Sequence, residues 1–475
     1  MGVGFFPLDK ETTVKRWCSV VCVISLSVLW YAGCAKKKIR ADFKPETVSG
    51  PFQWQRASGQ TIQVSLNKHP FSESIAPQLK EFTALTGIRV ELNILSEEEY
   101  RDKMIIELSS GSESVDVFMT GPYTTWSYVK ADWIEPLDAY LNNASLTSGD
   151  YDPNDFFQAL LEANRWNGEP GSQNYGQGSQ WSIPVMVETY ILAYRRDWAD
   201  ELKLAAPATY PDLVRFAKAM TRKVDNVQVY GITARGLGTW PTVATGFVSG
   251  FKSYGCSDFD ENMRSRINSP QAVEFTTLWM QAIKDCGPMA WSSNTWYDAK
   301  EQFESGRYGM IFDCDFFASS YENPQKSRVA GKLAYALPPA GPDGSIVSNI
   351  WTWALSINRN SRQKLAGWLF LQWATSKPQL LKATMAGNWN PVRKSTWSNA
   401  EAAALMDRWG NYREIVEKNL RDHARICLTP QPQLSAVGDR WARALQEIWS
   451  GGEPQAVLDR AAEDIDRIVE RLQSR

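Results

Sequence analysis

The segment "TIQVSLNKHP" from Thr61 alternates apolar and polar positions as a half-buried strand does. "SIAPQLKEFTALTG" follows with Ile75, Leu79 and Phe82 at helical spacing before Gly87, a residue suited to ending a helix. Alternation returns at Ile88, Val90, Leu92 and Ile94 and predicts a second strand. Ser96 and Glu99 have the spacing of a capping box that opens a helix with Tyr100, Met104 and Leu108 on one side; Gly111 and a third strand, "VDVFM", come next. Strand, helix, strand, helix, strand is the order that builds a parallel α/β sheet. Ligands of such sheets sit beyond the carboxyl ends of the strands, which singles out the loops "NKHPF" and "TGPYTTW".

A second α/β region follows. Thr209 and Asp212 open a helix with Leu213, Phe216 and Met220; "AVEFTTLWMQAI" is another helix; "EQFESGRYGMIFDCDFF" reads as a helix end, a turn at Gly306 and a strand ending at Asp313 and Asp315. Two strands are predicted within "GKLAYALPPAGPDGSIVSNIWTWALSIN", and apolar helices over "RQKLAGWLFLQWAT" and at the C-terminus, where Val457, Ala461, Ile465, Ile468 and Leu472 share a face. Trp279, Trp368 and Trp373 lie on helical apolar faces and read as core. Trp126, Trp181, Trp240, Trp291, Trp351 and Trp389 lie in or beside Gly- and Pro-rich loops, where part of the set is expected to line a ligand cleft.

Between the two regions, "WSIPVMVETYILAYRRDW" is apolar and β-branched from Ile183 to Tyr194 except at Glu188, with no basic residue until Arg195. A buried carboxylate needs compensation, so Glu188 is expected to have a partner distant in sequence or supplied by a ligand.

Composition narrows the function. A chain of 475 residues exceeds the roughly 250–300 at which single cores stop growing, so two or more lobes are expected. The net charge of -2, with both signs mixed throughout, argues against nucleic acid as a partner. With 21 Trp and only 2 His, His69 and His423, the chain is rich in flat apolar faces and poor in the means for His-based metal sites or Ser-His-Asp catalysis. "DFDENMRSRINS" imitates a calcium loop at Asp258, Asp260 and Asn262, but Met263 and Ser269 replace the required Gly and Glu, so a surface hairpin is expected. Cys256, Cys286, Cys314 and Cys427 allow three full pairings, of which a Cys256–Cys286 bridge across one helical segment is the expected one.

The N-terminus predicts export. Lys15 and Arg16 precede an uncharged run from Trp17 to Gly33 that ends in "YAGC". The segment resembles a bacterial lipoprotein signal, with Cys34 as the lipidated residue, although Tyr31 stands where such signals carry Leu; the alternative is an uncleaved membrane anchor. Either way the protein is expected at the periplasmic or extracellular face, tethered to the membrane, with 1–34 as signal and 35–59 as linker.

The order of "EFTALTGIRVE", "DVFMTGP", "ADWIEPLDAYL", "IPVMVETYILAYRRDW", "FESGRYGMIFD", "LPPAGPDG" and "GNWNPVR" resembles the bacterial extracellular solute-binding proteins of the sugar-binding class that serve ABC importers, over roughly residues 60–475. The resemblance implies an α/β, two-lobed periplasmic-binding-protein-like fold with hinge crossovers, with lobe 1 from 60–187 and 352–392 and lobe 2 from 188–351 and 393–475. It also implies a monomer that takes a sugar or polyol in the cleft and passes it to permease subunits in the inner membrane, with no catalysis and no cofactor. The family's cleft positions fall at His69, Thr120, Gly121, Tyr123, Glu188, Asp313, Asp315, Trp351, Asn388 and Trp389, to which the loop residues Trp181 and Trp240 are added. One departure is Gly438, where some oligosaccharide binders carry an aromatic platform; its loss favours a smaller sugar or a polyol. The competing reading is an exported carbohydrate-active hydrolase using Asp313 and Asp315, two carboxylates placed on one strand end where a retaining pair usually comes from different elements.

Overall fold

The computed structural model describes residues 43–473. The apolar leader and Cys34 lie outside the described residues. Ten strands form one sheet: β1 Thr61–Asn67, β2 Arg89–Leu95, β3 Val117–Thr120, β4 Ile183–Arg195, β5 Arg222–Val224, β6 Val227–Thr233, β7 Tyr308–Cys314, β8 Leu333–Ala336, β9 Ser348–Ile357 and β10 Ala424–Arg425. Their order is β2-β1-β3-β9-β4-β7-β6-β5, with β8 added to β4 and β10 to β9.

Two strands carry the chain between the halves of this sheet. β1, β2 and β3 are mutually parallel, as are β6 and β7, and β4 and β9 run antiparallel to their neighbours between these groups. The first half of β4, Ile183 to Thr189, pairs with β9; the second half, Tyr190 to Tyr194, pairs with β7. The far end of β9, Ala354 to Ile357, pairs with β3, after a register shift at Trp353/Ala354. A strand covered on both faces reads as one apolar run. Accordingly every residue of β9 is buried, and in β4 only Glu188 and Tyr194 are partly accessible.

The helices follow their sequence signals with two differences. The helix expected from Ser74 is split into Pro70–Ile75, a 3-10 turn Ala76–Gln78 and Leu79–Thr86, because Pro77 supplies no N–H to the ladder; Gly87 ends the last piece with φ 74°. At the start of Glu97–Ser109, the Ser96 hydroxyl donates to the Glu99 carboxylate at 2.8 Å and leaves the backbone N–H groups uncapped by side chains. Thr209 and Asp212 do cap Tyr210–Met220 reciprocally.

Trp279, Trp368 and Trp373 are core residues. The "DFDENMRSRINS" segment is a hairpin closed by a Phe259–Ser265 bridge, with Asp260 Oδ1 accepting from the N–H groups of Asn262 and Arg264. The Cys256–Cys286 bridge does not form: Cys256, Cys286, Cys314 and Cys427 are buried free thiols. The Cys256 thiol donates to the Tyr254 carbonyl and faces the same surface cavity as Cys427, whereas Cys286 ends its helix against Thr221.

Candidate functional site: a cavity walled by aromatic rings

The register of β4 on β9 builds the floor of the site. Trp351 lies directly opposite Glu188, and directly opposed residues share a face. The period of two then brings Tyr190 and Trp353 to that face, and all four line a cavity of about 380 Å³. The neighbouring Thr189 turns the other way, where its N–H donates to Asp315 Oδ1 at 2.9 Å and its hydroxyl accepts from Asn419.

Three aromatic rings form one wall. The centroids of Tyr123, Trp240 and Trp351 are 5.6–5.7 Å apart in pairs, a spacing of favourable ring contact. Gly121 lets Trp351 approach the backbone: a Cβ there would stand 2.3 Å from the indole Cζ2. The Tyr123 hydroxyl donates to Asn349 Oδ1 at 2.6 Å, and burial holds this phenol well above its ordinary pKa. Gly438 serves Trp240 in the same manner, since a Cβ at 438 would lie 2.5 Å from that of Trp240. Trp240, which opens the short helix Trp240–Val243, thus packs closely on the Leu434–Trp449 helix at Gly438.

His69, on the loop after β1, caps the Pro70–Ile75 helix through Nδ1, which accepts the Phe71 N–H at 3.2 Å. That bond fixes the neutral tautomer with Nε2–H as a donor, and burial pushes the imidazole pKa down to about 3. The ring is stacked on Phe316 at 5.5 Å. Beside it, Asn67 Oδ1 is buried against the cavity with no hydrogen-bond donor among the described residues.

Glu188 is the one acid on the floor. Burial pushes its pKa up to about 7; Arg235 partly offsets this, while Asp313, Glu97 and Asp315 add to it. Arg235 does not pair with it. The Arg235 guanidinium donates to both oxygens of Asp313, Nε to Oδ2 at 3.0 Å and Nη2 to Oδ1 at 2.6 Å. Burial works against the charge of Arg235, but Asp313, Tyr190 and Glu188 together outweigh it and raise the guanidinium pKa. The Glu188 carboxylate therefore faces the cavity without an ion pair or hydrogen bond among the described residues, a state that a ligand donor relieves.

Of the twelve residues singled out from sequence, His69, Tyr123, Glu188, Trp240 and Trp351 line this cavity. Gly121 stands behind Trp351. Thr120 is bonded to the hydroxyls of Thr124 and Thr125, the Trp181 indole donates to the Trp166 carbonyl at 2.7 Å, and the Asn388 amide donates to Val185 O at 3.0 Å. Trp389 packs edge-on to Trp409. Asp313 and Asp315 also stand one layer back: the first holds Arg235, and the second accepts from Thr189 and Asn390, with burial raising its pKa to about 7. Sequence reasoning singled out the loop that begins at Asn67 without naming that residue, and did not reach Tyr190, Arg235 or Trp353. Tyr190 and Trp353 each lie two residues from a named residue on a strand, so the strand period could have found them.

The cavity combines acceptors (Glu188, Asn67), donors (His69, Arg235) and aromatic walls. That set matches a neutral molecule with hydroxyls for polar bonds and C–H faces for the rings.

Known proteins agree in fold and sequence. The chain is 35% identical over 440 residues to the erythritol/L-threitol-binding protein of Mycolicibacterium smegmatis, covering 92% of this chain and 91% of that protein. It is 25% identical over 317 residues to the mannitol-binding protein of Pseudomonas aeruginosa, covering 66% and 68%. Among solved structures, an ABC transporter solute-binding protein of Agrobacterium radiobacter in complex with ribitol superposes with a TM-score of 0.74 at 22% identity, covering 86% of this chain and 99% of that one. One of Agrobacterium vitis with bound D-mannitol gives 0.71 at 22%, covering 87% and 99%. Residues 67–380 match the model of the bacterial extracellular solute-binding protein family. With the two-lobed α/β architecture and these matches, the chain belongs to the bacterial extracellular solute-binding proteins.

Proposed function

We propose that this protein captures a sugar alcohol or a small sugar in the cavity between its lobes and delivers it to the permease of an ABC importer, without chemically changing it. The observation that carries the reading is Glu188, a carboxylate on a crossover strand facing an aromatic-walled cavity with no protein partner among the described residues. Hydroxyl groups satisfy it without bringing a charge of their own. The relatives named for erythritol, L-threitol and mannitol support the polyol class. Contacts made by both lobes would favour the closed form, which is the form a permease would recognise. Export to the outer face of the membrane, with tethering through Cys34 or the leader, belongs to the same proposal.

The hydrolase reading needs a second unpaired carboxylate beside Glu188, and the nearby acids among the described residues are engaged. Asp313 is paired with Arg235, Asp315 with Thr189 and Asn390, and Glu97 with Arg101. A retaining or inverting pair needs two carboxyl groups facing one glycosidic bond.

A thermal-shift panel of alditols, monosaccharides and disaccharides tests the proposal. One class is expected to stabilise the protein by about 2.7 kcal/mol at 100 times its dissociation constant. Stabilisation by none of them, or hydrolysis of an added glycoside, counts against it.

A further inference from the structure

The cavity has a second chamber outside it. Glu98, Leu237 and Thr239 line an outer cavity of about 370 Å³, which shares Ser96, Glu97, Arg101, Arg235, Pro241, Trp296 and Tyr297 with the inner one. The shared residues form the neck between the two. Within that neck most groups are fixed: Arg235 is held by Asp313, and Trp296 opens the helix Trp296–Glu304. Arg101 is the one that crosses from one side of the crossovers to the other. It rises from Glu97–Ser109, on the β2 side, and reaches across to Trp240, on the other side of the crossovers, with its guanidinium carbon 5.8 Å from the indole centroid. Glu97, one turn earlier, holds Nη2 at 2.5 Å, and the side chain is about one-third exposed.

Trp240 lines the inner chamber and not the outer one, while the guanidinium laid over it lines both, so Arg101 stands between the Trp240 ring and the outer chamber. The outer chamber is itself suited to a carbohydrate. It offers the exposed faces of Tyr297 and Leu237 for C–H contact and the Glu98 carboxylate for hydroxyls. Among the shared residues, Arg101 is the long side chain that spans from the β2 side to Trp240, held by one carboxylate and one ring.

We propose that Arg101 is a size gate: laid between Glu97 and Trp240, it confines the ligand to the inner chamber, and its removal joins the two chambers into one cleft that admits a glycosylated alditol. The inference rests on the polyol reading above and adds a specificity-determining residue and the ligand class it excludes. Discrimination here comes from blocking the longer ligand and not from gripping the shorter one.

The test is calorimetric titration of wild type, Arg101→Ala and Arg101→Lys with erythritol, ribitol, D-mannitol, D-sorbitol and the glucosyl-sorbitol maltitol. The readout is the ratio of affinities, best simple alditol over maltitol. Wild type is expected to prefer the simple alditol, and Arg101→Ala to lower that ratio by about tenfold or more through a gain in maltitol binding. Arg101→Lys, which keeps the charge and loses the planar stack, is expected to fall between them. Equal loss of both ligands in Arg101→Ala makes Arg101 an ordinary ligand contact and overturns the gate. An unchanged ratio with alditol binding intact, or wild type that takes maltitol as well as any alditol, also overturns it. Absence of alditol binding in wild type refutes the underlying reading and the gate with it.

Discussion

Replacing Glu188 by Gln keeps the shape of the side chain and removes its charge, and the structure predicts opposite effects on affinity and on stability. A hydrogen bond to a charged group contributes about 1.5–3 kcal/mol and a neutral one about 0.5–1.5, so a carboxylate that grips one or two hydroxyls loses about 1–3 kcal/mol as an amide, a weakening of roughly 5- to 150-fold. Without ligand the sign reverses. The pKa of Glu188 rises from an ordinary 4.5 to about 7 on burial, which at 1.36 kcal/mol per pH unit puts the cost of the ionised form in the folded protein at about 3 kcal/mol as an upper figure. Because the folded state holds the proton more tightly, the penalty is absent below about pH 4.5, grows as pH rises and is complete above about 7. The unliganded Glu188→Gln protein is therefore expected to match wild type at pH 4 and to melt higher at pH 8. Thermal melts at the two pH values, with and without the best ligand, and calorimetric titration at pH 8 measure all of this. Unchanged affinity, or no pH-dependent gain in stability, would refute the reasoning.

Ligand affinity of wild type is expected to increase with pH through about 7, since hydroxyl donors favour the ionised carboxylate, and this step should vanish in Glu188→Gln; His69, pushed down to about 3, should add no step between pH 5 and 8. Gly121→Ala places a methyl group 2.3 Å from the Trp351 ring, and overpacking of this kind costs about 1–3 kcal/mol, to be read as a lower melting temperature together with weaker binding. Asp313→Asn breaks a buried ion pair, with an expected loss of about 3–5 kcal/mol in a denaturation experiment, and releases Arg235 toward Glu188, so ligand binding should fall as well. Peptide mapping after alkylation in denaturant should recover Cys256, Cys286, Cys314 and Cys427 as unpaired thiols.

Periodicity carried most of the fold. The strand alternation from Thr61 onward and the apolar run around Glu188 were legible because each reports how many faces a strand buries, and the order of elements then restricts the topology. The break at Pro77 was written in the sequence as a proline inside a helical pattern. The site was legible where it lies on strands. Glu188 stands out as an acid in an apolar run, and Trp351 is its cross-strand neighbour. It was not legible where partners are assembled from afar. Arg235 lies 78 positions from the Asp313 that holds it, and nothing local to "ARGLG" indicates that it faces a cavity. For the same reason Asp313 and Asp315 read as free carboxylates until their partners in space are known.

The most direct measurement is a crystal structure with the alditol that stabilises the protein most. The account predicts ligand in the inner chamber, packed on Trp351, with at least one hydroxyl at a hydrogen-bond distance of about 2.5–3.0 Å from a Glu188 carboxylate oxygen and Arg235 still on Asp313. Ligand bound elsewhere, or Glu188 turned onto Arg235 with no hydroxyl against it, would contradict the account.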